Sequence, residues 1–86
     1  MDVSNSTGQD TQYRVANGGA KAQTNDWQLL PKQSRHQCSD PTTAFTIEFR
    51  LADGTLVSHS FNHPKAAVEL VKDGNNYKIK GIRTAA

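Results

Sequence analysis

The side chains best suited to nucleophilic or metal chemistry in this chain are Cys38, its sole cysteine, and the three histidines His36, His59 and His63. Zinc takes nitrogen and sulfur ligands in a tetrahedron, usually from pairs separated by about two to four residues. His36 and Cys38 have one residue between them, too few for such a knuckle, and His59 and His63 fall on either side of an apparent strand end. No metal and no cofactor is expected. Cys38 as a nucleophile would need a base and an electropositive, partly exposed setting. His36 is adjacent and Asp40 or Asp53 would have to orient the imidazole, but a polar connector preorganises nothing. Glu48 and Glu69 do not share a face, and Gly18-Gly19 is not followed by the Lys-Ser or Lys-Thr of a phosphate loop. The chain reads as non-enzymatic.

The elements that would position any site begin with Phe45 to Phe61. Phe45, Ile47, Phe49 and Leu51 alternate with Thr46, Glu48 and Arg50, the period of a half-buried strand. Val57 and Phe61 alternate with Ser58 and Ser60 after an Ala52-Asp53-Gly54 turn, so a β-hairpin is predicted over 45–61. A two-residue Asp53-Gly54 loop would set serines against the apolar face. A three-residue loop instead aligns Leu51 with Thr55, Phe49 with Val57 and Phe45 with Phe61, with Gly54 left-handed. A one-residue slip exchanges the faces of a strand, so burial selects the three-residue loop. In that register His59 faces inward beside Ile47.

Beyond the hairpin, His63-Pro64 reads as a helix start, with Pro64 at the first helical position. Ala66, Ala67, Leu70 and Val71 would share a face and Lys65–Glu69 an i, i+4 pair, which predicts a short helix over 64–72 ended at Gly74. Tyr77 and Ile79 alternate with Lys78 and Lys80, predicting a strand over 77–83, where a bulge at Gly81 would turn Ile82 to the side of Ile79. The fold class expected is therefore α+β: a small antiparallel sheet with one helix on one face. Trp27 to Leu30 is a candidate edge strand, and 31–43 reads as turn or loop.

Residues 1–26 are rich in Ser, Thr, Asn, Gln and Gly. Such a segment buries too little surface to offset an ordering cost of roughly 1–2 kcal/mol per residue. A flexible, disordered amino-terminal tail is expected there, broken by a short edge strand at Tyr13 to Ala16, with the α+β domain over 27–86. Eighty-six residues allow one domain, and a core this thin permits weak self-association. The first residues lack the basic and apolar regions of a secretory signal, no apolar run approaches the roughly 18 residues of a membrane span, and the sole cysteine forms no internal disulfide. A cytoplasmic protein without membrane contact is expected.

Charge narrows the partner class. The chain carries 10 basic against 8 acidic residues, a formal +2, a surplus that suits an acidic partner without indicating nucleic acid. Lys78, Lys80 and Arg83 decorate the last strand beside Tyr77, Arg50 projects from the hairpin, and Lys32, Arg35 and His36 cluster in the connector. These predict a binding site of Lys78, Lys80 and Arg83, with Arg50 and Tyr77 secondary. The expected function is binding of another macromolecule, a protein first, in the manner of an inhibitor or adaptor. The alternative is nucleic acid held by the basic strand, since the same cations with an aromatic can contact phosphates and stack a base. Tyr13 and Trp27 are the aromatics available as anchors, the competing reading of Trp27 being that it simply lids the core. In order of elements the segment 45–83 is similar to short phage proteins that inhibit host enzymes. That likeness implies an accessory, inhibitory role and carries no residue with it.

Overall fold

A computed structural model describes residues 1–17, 27–38 and 43–84. Among them are eight strands and no helix: β1 Asp2–Asn5, β2 Thr11–Asn17, β3 Gln28–Leu30, β4 Ser34–Gln37, β5 Phe45–Leu51, β6 Leu56–Phe61, β7 Lys65–Asp73 and β8 Asn76–Thr84. They form two four-stranded sheets, ordered β4-β1-β7-β8 and β3-β2-β5-β6. The expected α+β class is thereby corrected to all-β. No helix long and apolar enough to cross a membrane occurs among the described residues.

The hairpin β5–β6 has the register that burial selects, with Phe45 opposite Phe61, Ile47 opposite His59 and Phe49 opposite Val57. Its loop is closed by Leu51 N–H donating to Thr55 O and Gly54 N–H to Leu51 O, both at 2.9 Å, with Gly54 at φ +92°. A side chain there would meet the left-handed penalty that glycine escapes. Phe45, Ile47, Phe49 and Leu51 are buried. His59 keeps its place opposite Ile47 but is exposed, because β6 is an edge strand; its ring packs edge-on against Phe61 at 4.4 Å between centroids.

The helix expected over 64–72 is instead strand β7, at the interior of its sheet between β1, with which it runs parallel, and β8. Strand geometry sends Val68 and Leu70 together into the core, where both are fully buried, and Glu69 outward. A helix would have separated Val68 from Leu70 and left β1 and β8 without a common neighbour. The gain of about 1.5–3 kcal/mol for each buried Val or Leu, with two ladders of backbone hydrogen bonds, outweighs a local preference of tenths of a kcal/mol per residue. Asn62-His63-Pro64 is the link from β6 to β7 rather than a helix cap, and Gly74 at φ +63° opens the β7–β8 turn. With the helix goes the similarity in element order to the phage inhibitors.

The disordered tail is corrected for residues 1–17, which supply β1 and β2; residues 18–26 lie outside the described residues, as does the Asp40-Pro41 pair. Met1, Val3 and Asn5 point inward from one side, and Thr11 and Tyr13 from the other. Two buried polar residues make this possible. Asn5 Nδ2 donates to Gln9 O at 2.7 Å and Leu30 O at 3.1 Å, while its Oδ1 accepts from Thr7 N–H at 3.0 Å and the Thr7 hydroxyl at 2.7 Å. Every hydrogen-bonding position of the Asn5 amide is filled, so its burial is not penalised as an unpaired amide would be. The expected edge strand at Tyr13 to Ala16 is the interior strand β2, and the 31–43 connector contains β4.

The sheets meet through Val3, Val68, Leu70 and Ile79 of one and Tyr13, Leu30, Phe45, Ile47, Phe49 and Leu51 of the other. At one end β6 approaches β8, where a Cβ on Gly81 would lie 2.9 Å from Lys65 Cε and 3.0 Å from Phe61 Cε1. The bulge expected here exists, since β8 inserts Ile82 between Gly81, opposite Val68, and Arg83, opposite Ala67. Ile82 nonetheless remains exposed rather than joining Ile79.

Candidate functional site

The outward face of β3-β2-β5-β6 gathers an unusual set of side chains. One row across it is Leu29, Gln12, Arg50, Leu56, and the next places Arg14 beside Glu48 and Ser58. Trp27, immediately before β3, lies across both rows: the Arg14 guanidinium carbon is 4.3 Å and that of Arg50 4.5 Å from its ring centroid. Arg14 Nε donates to Glu48 Oε1 at 2.8 Å, and Arg50 Nε to Gln12 Oε1 at 3.0 Å. The two guanidinium groups are held flat by these acceptors, and the indole stacks on them. On either side Leu29 and Leu56 are 66% and 65% exposed. The face therefore combines a half-buried Trp, two Arg and two bare Leu, with one carboxylate among them.

Tyr13, expected as an available anchor, is buried on the inward side of β2. Its hydroxyl is hydrogen-bonded with His36 Nδ1, across from one sheet to the other, and with the Cys38 thiol. Burial, with smaller contributions from Cys38, raises its pKa well above that of a free phenol. Cys38 also extends the β1–β4 ladder, its N–H donating to Met1 O at 2.9 Å and its carbonyl accepting from the Met1 amino group at 2.7 Å. The phenol, imidazole and thiol thus pin the β3–β4 end of the molecule. Among the described residues no group of three or more His, Cys, Asp or Glu is arranged to hold a metal ion.

The residues predicted for binding are divided between the two sheets. Lys78 and Lys80 are exposed on the outward face of β4-β1-β7-β8, opposite Val71 and Glu69. Arg35, in β4, shares the Ser4–Glu69–Lys80 row. Glu69, which accepts from the Ser6 hydroxyl, interrupts the positive charge there. Arg83 lies in β8 opposite Ala67. Tyr77 is turned toward the other side of β8, where its hydroxyl accepts from Gln9 Nε2 at 2.6 Å. Arg50 is on the other sheet, so it joins Trp27 and not the lysines.

Sequence reasoning overlooked Arg14, Leu29 and Leu56. A signal was present: on β2 the polar positions Gln12 and Arg14 alternate with Thr11, Tyr13 and Val15, which marks a two-faced strand. Which outer residues they would meet depended on pairing with β5. A cleft of 610 Å³ opens between the ends of the two hairpins, lined by Asp53, Leu56, Val57, Ser58, Lys72 and Tyr77 among others. A second, of 360 Å³, adjoins Gln12, Leu29 and Arg50. No protein-family description, no curated protein sequence and no solved structure matches this chain.

Proposed function

We propose that this protein acts by binding another protein, without catalysis, through the outward face of β3-β2-β5-β6. The observation carrying this reading is the Arg14–Trp27–Arg50 stack set between the exposed Leu29 and Leu56. Trp and Arg are the residue types that dominate interface energetics, and here their side chains are ordered before any partner arrives, which lowers the entropic cost of association. The 360 Å³ hollow beside Leu29 and Arg50 gives a partner side chain somewhere to seat.

The test is capture from nuclease-treated lysate by the full chain, compared with two double variants. Trp27→Ala with Arg50→Glu is expected to lose the captured protein, and Lys78→Glu with Lys80→Glu to keep it. The second reading, nucleic acid on Lys78, Lys80 and Arg35, is favoured only by their sharing one face. It requires the reverse pattern, and an affinity falling steeply and linearly in log salt as counterions are released.

A further inference from the structure

Strand β6 is an edge in both chemistry and position. Among the described residues its ladder partner is β5 alone. Leu51 N–H bonds Thr55 O, so by the alternation of an antiparallel ladder Val57, His59 and Phe61 turn their backbone groups to β5. The N–H and C=O of Leu56, Ser58 and Ser60 point the other way. On β8, Ser6 N–H bonds Leu70 O, so Leu70 faces β1 and its neighbour Ile79, like Tyr77, directs backbone groups away from β7. Of these residues Leu56, Ser58 and Tyr77 line the 610 Å³ cleft, and Phe61, Lys65 and Gly81 meet at the other end of β6.

Exposed edges are ordinarily guarded by Lys, Pro, bulges or inward charges. β8 is guarded in this way, with Lys78, Lys80 and a bulge at Ile82. β6 reads Leu-Val-Ser-His-Ser-Phe and has neither lysine, carboxylate, proline nor bulge. We infer that β6 receives an extended peptide segment of the protein partner, which enters the cleft and hydrogen-bonds the outward backbone groups of Leu56 and Ser58 as a fifth strand of the β3-β2-β5-β6 sheet. Alternate residues of that segment face Val57 and Tyr77 on one side and Leu56 on the other, which selects β-branched or aromatic residues at every second position. A second copy of this chain fits less well, because pairing along the whole of β6 is obstructed where Phe61 meets Lys65 and Gly81. The inference rests on the protein-binding reading and extends it, since the added strand would adjoin Leu56 at the margin of the Trp27 face.

The probe is a displayed library of random linear peptides selected on the full chain. Enriched peptides should alternate as above, and Ser58→Pro, which removes an outward N–H without removing a bond to β5, should weaken them roughly tenfold. On the unaltered protein, hydrogen exchange should slow at the Leu56 and Ser58 amides when such a peptide is added and stay unchanged at Val57 and His59. Failure to enrich any peptide, or unchanged exchange at Leu56 and Ser58, overturns the inference. So does protection of those amides that rises with protein concentration alone, which would assign the edge to a second copy. Lysate capture that is lost with Trp27→Ala and Arg50→Glu but unaffected by Ser58→Pro overturns strand addition and leaves the protein-binding reading standing. Capture that requires nucleic acid overturns both.

Discussion

The guanidinium of Arg14 lies 4.3 Å from the centre of the Trp27 ring while its Nε holds Glu48 at 2.8 Å. One side chain thereby joins three strands' worth of outer surface: β2 through its own backbone, β5 through Glu48, and the start of β3 through the indole. With Arg50 on the same ring, Trp27→Ala removes two cation–π contacts at a part-exposed site and is expected to cost about 1–2 kcal/mol of stability. Urea unfolding followed by circular dichroism measures this. A double-mutant cycle of Trp27→Ala with Arg14→Ala should return a coupling energy on the order of 0.5–1 kcal/mol.

Asn5 is the polar keystone of the amino-terminal strands. Replacing it with Leu leaves the Thr7 N–H without its partner and removes one of two hydrogen bonds from the Gln9 and Leu30 carbonyls, which keep the Thr7 and Thr11 hydroxyls. A loss of about 1–3 kcal/mol is expected, the cost of one unmet buried group. The denaturation midpoint is the measurement, with Asn5→Asp as a companion that keeps the acceptor and loses the donors.

Tyr13 predicts a specific alkaline sensitivity. Its phenol ionises less readily in the folded protein than in the unfolded chain, owing first to burial and then to Cys38. The folded state therefore retains a proton that the unfolded state releases above the ordinary phenol value near 10. The stability involved is fully present below that pH and declines as pH rises beyond it, by at most about 1.4 kcal/mol per pH unit. Unfolding free energies measured from pH 8 upward (roughly two pH units below the phenol range) should show this decline, and Tyr13→Phe should remove it while costing about 1 kcal/mol at neutral pH for the lost hydrogen bonds.

Gly81 keeps the two sheets in contact at the β6–β8 end. Gly81→Val should destabilise by about 1–3 kcal/mol, as overpacking does elsewhere, because the Phe61 ring 3.0 Å from the new Cβ has little room to move. Lys65→Ala should restore only part of the loss, since it clears the flexible Lys65 Cε at 2.9 Å and not the ring. Thermal unfolding of the single and double variants separates the two contributions.

Val68→Ala distinguishes the interior strand from the expected helix. Val68 is fully buried in β7, so truncation should cost about 1.5–3 kcal/mol, whereas in a helix over 64–72 it would lie away from the Ala66-Ala67-Leu70-Val71 stripe and alanine there would be close to neutral. Denaturant titration of the variant gives the answer.

Local patterning was enough for the hairpin. Phe45 to Leu51 alternates without interruption, Gly54 is the residue able to take the left-handed turn, and burial admits one register, so neighbours in sequence suffice to define 45–61 and its loop. Strand β8 was legible for the same reason. The segment 65–73 was not, because Ala66-Ala67-Val68-Glu69-Leu70-Val71 satisfies a helical stripe as readily as a two-sided strand, and what separates the two is the presence of β1 and β8 on its flanks. Residues 1–17 were unreadable in a different way: Asn5 and Thr7 look like tail residues until Gln9, Leu30 and Gln33 supply their hydrogen bonds. The candidate site followed the same division. Arg50 was singled out from its outward position on β5, but its neighbour turned out to be Trp27 rather than Lys78 or Lys80, since β2 comes between β3 and β5 and carries Arg14 and Gln12 into place. Alternation along a strand depends on bonds between adjacent residues, so it is written in the sequence; which strand lies alongside which is settled by burial and hydrogen bonding across the whole chain, and here that decided both the class of the fold and the company Arg50 keeps.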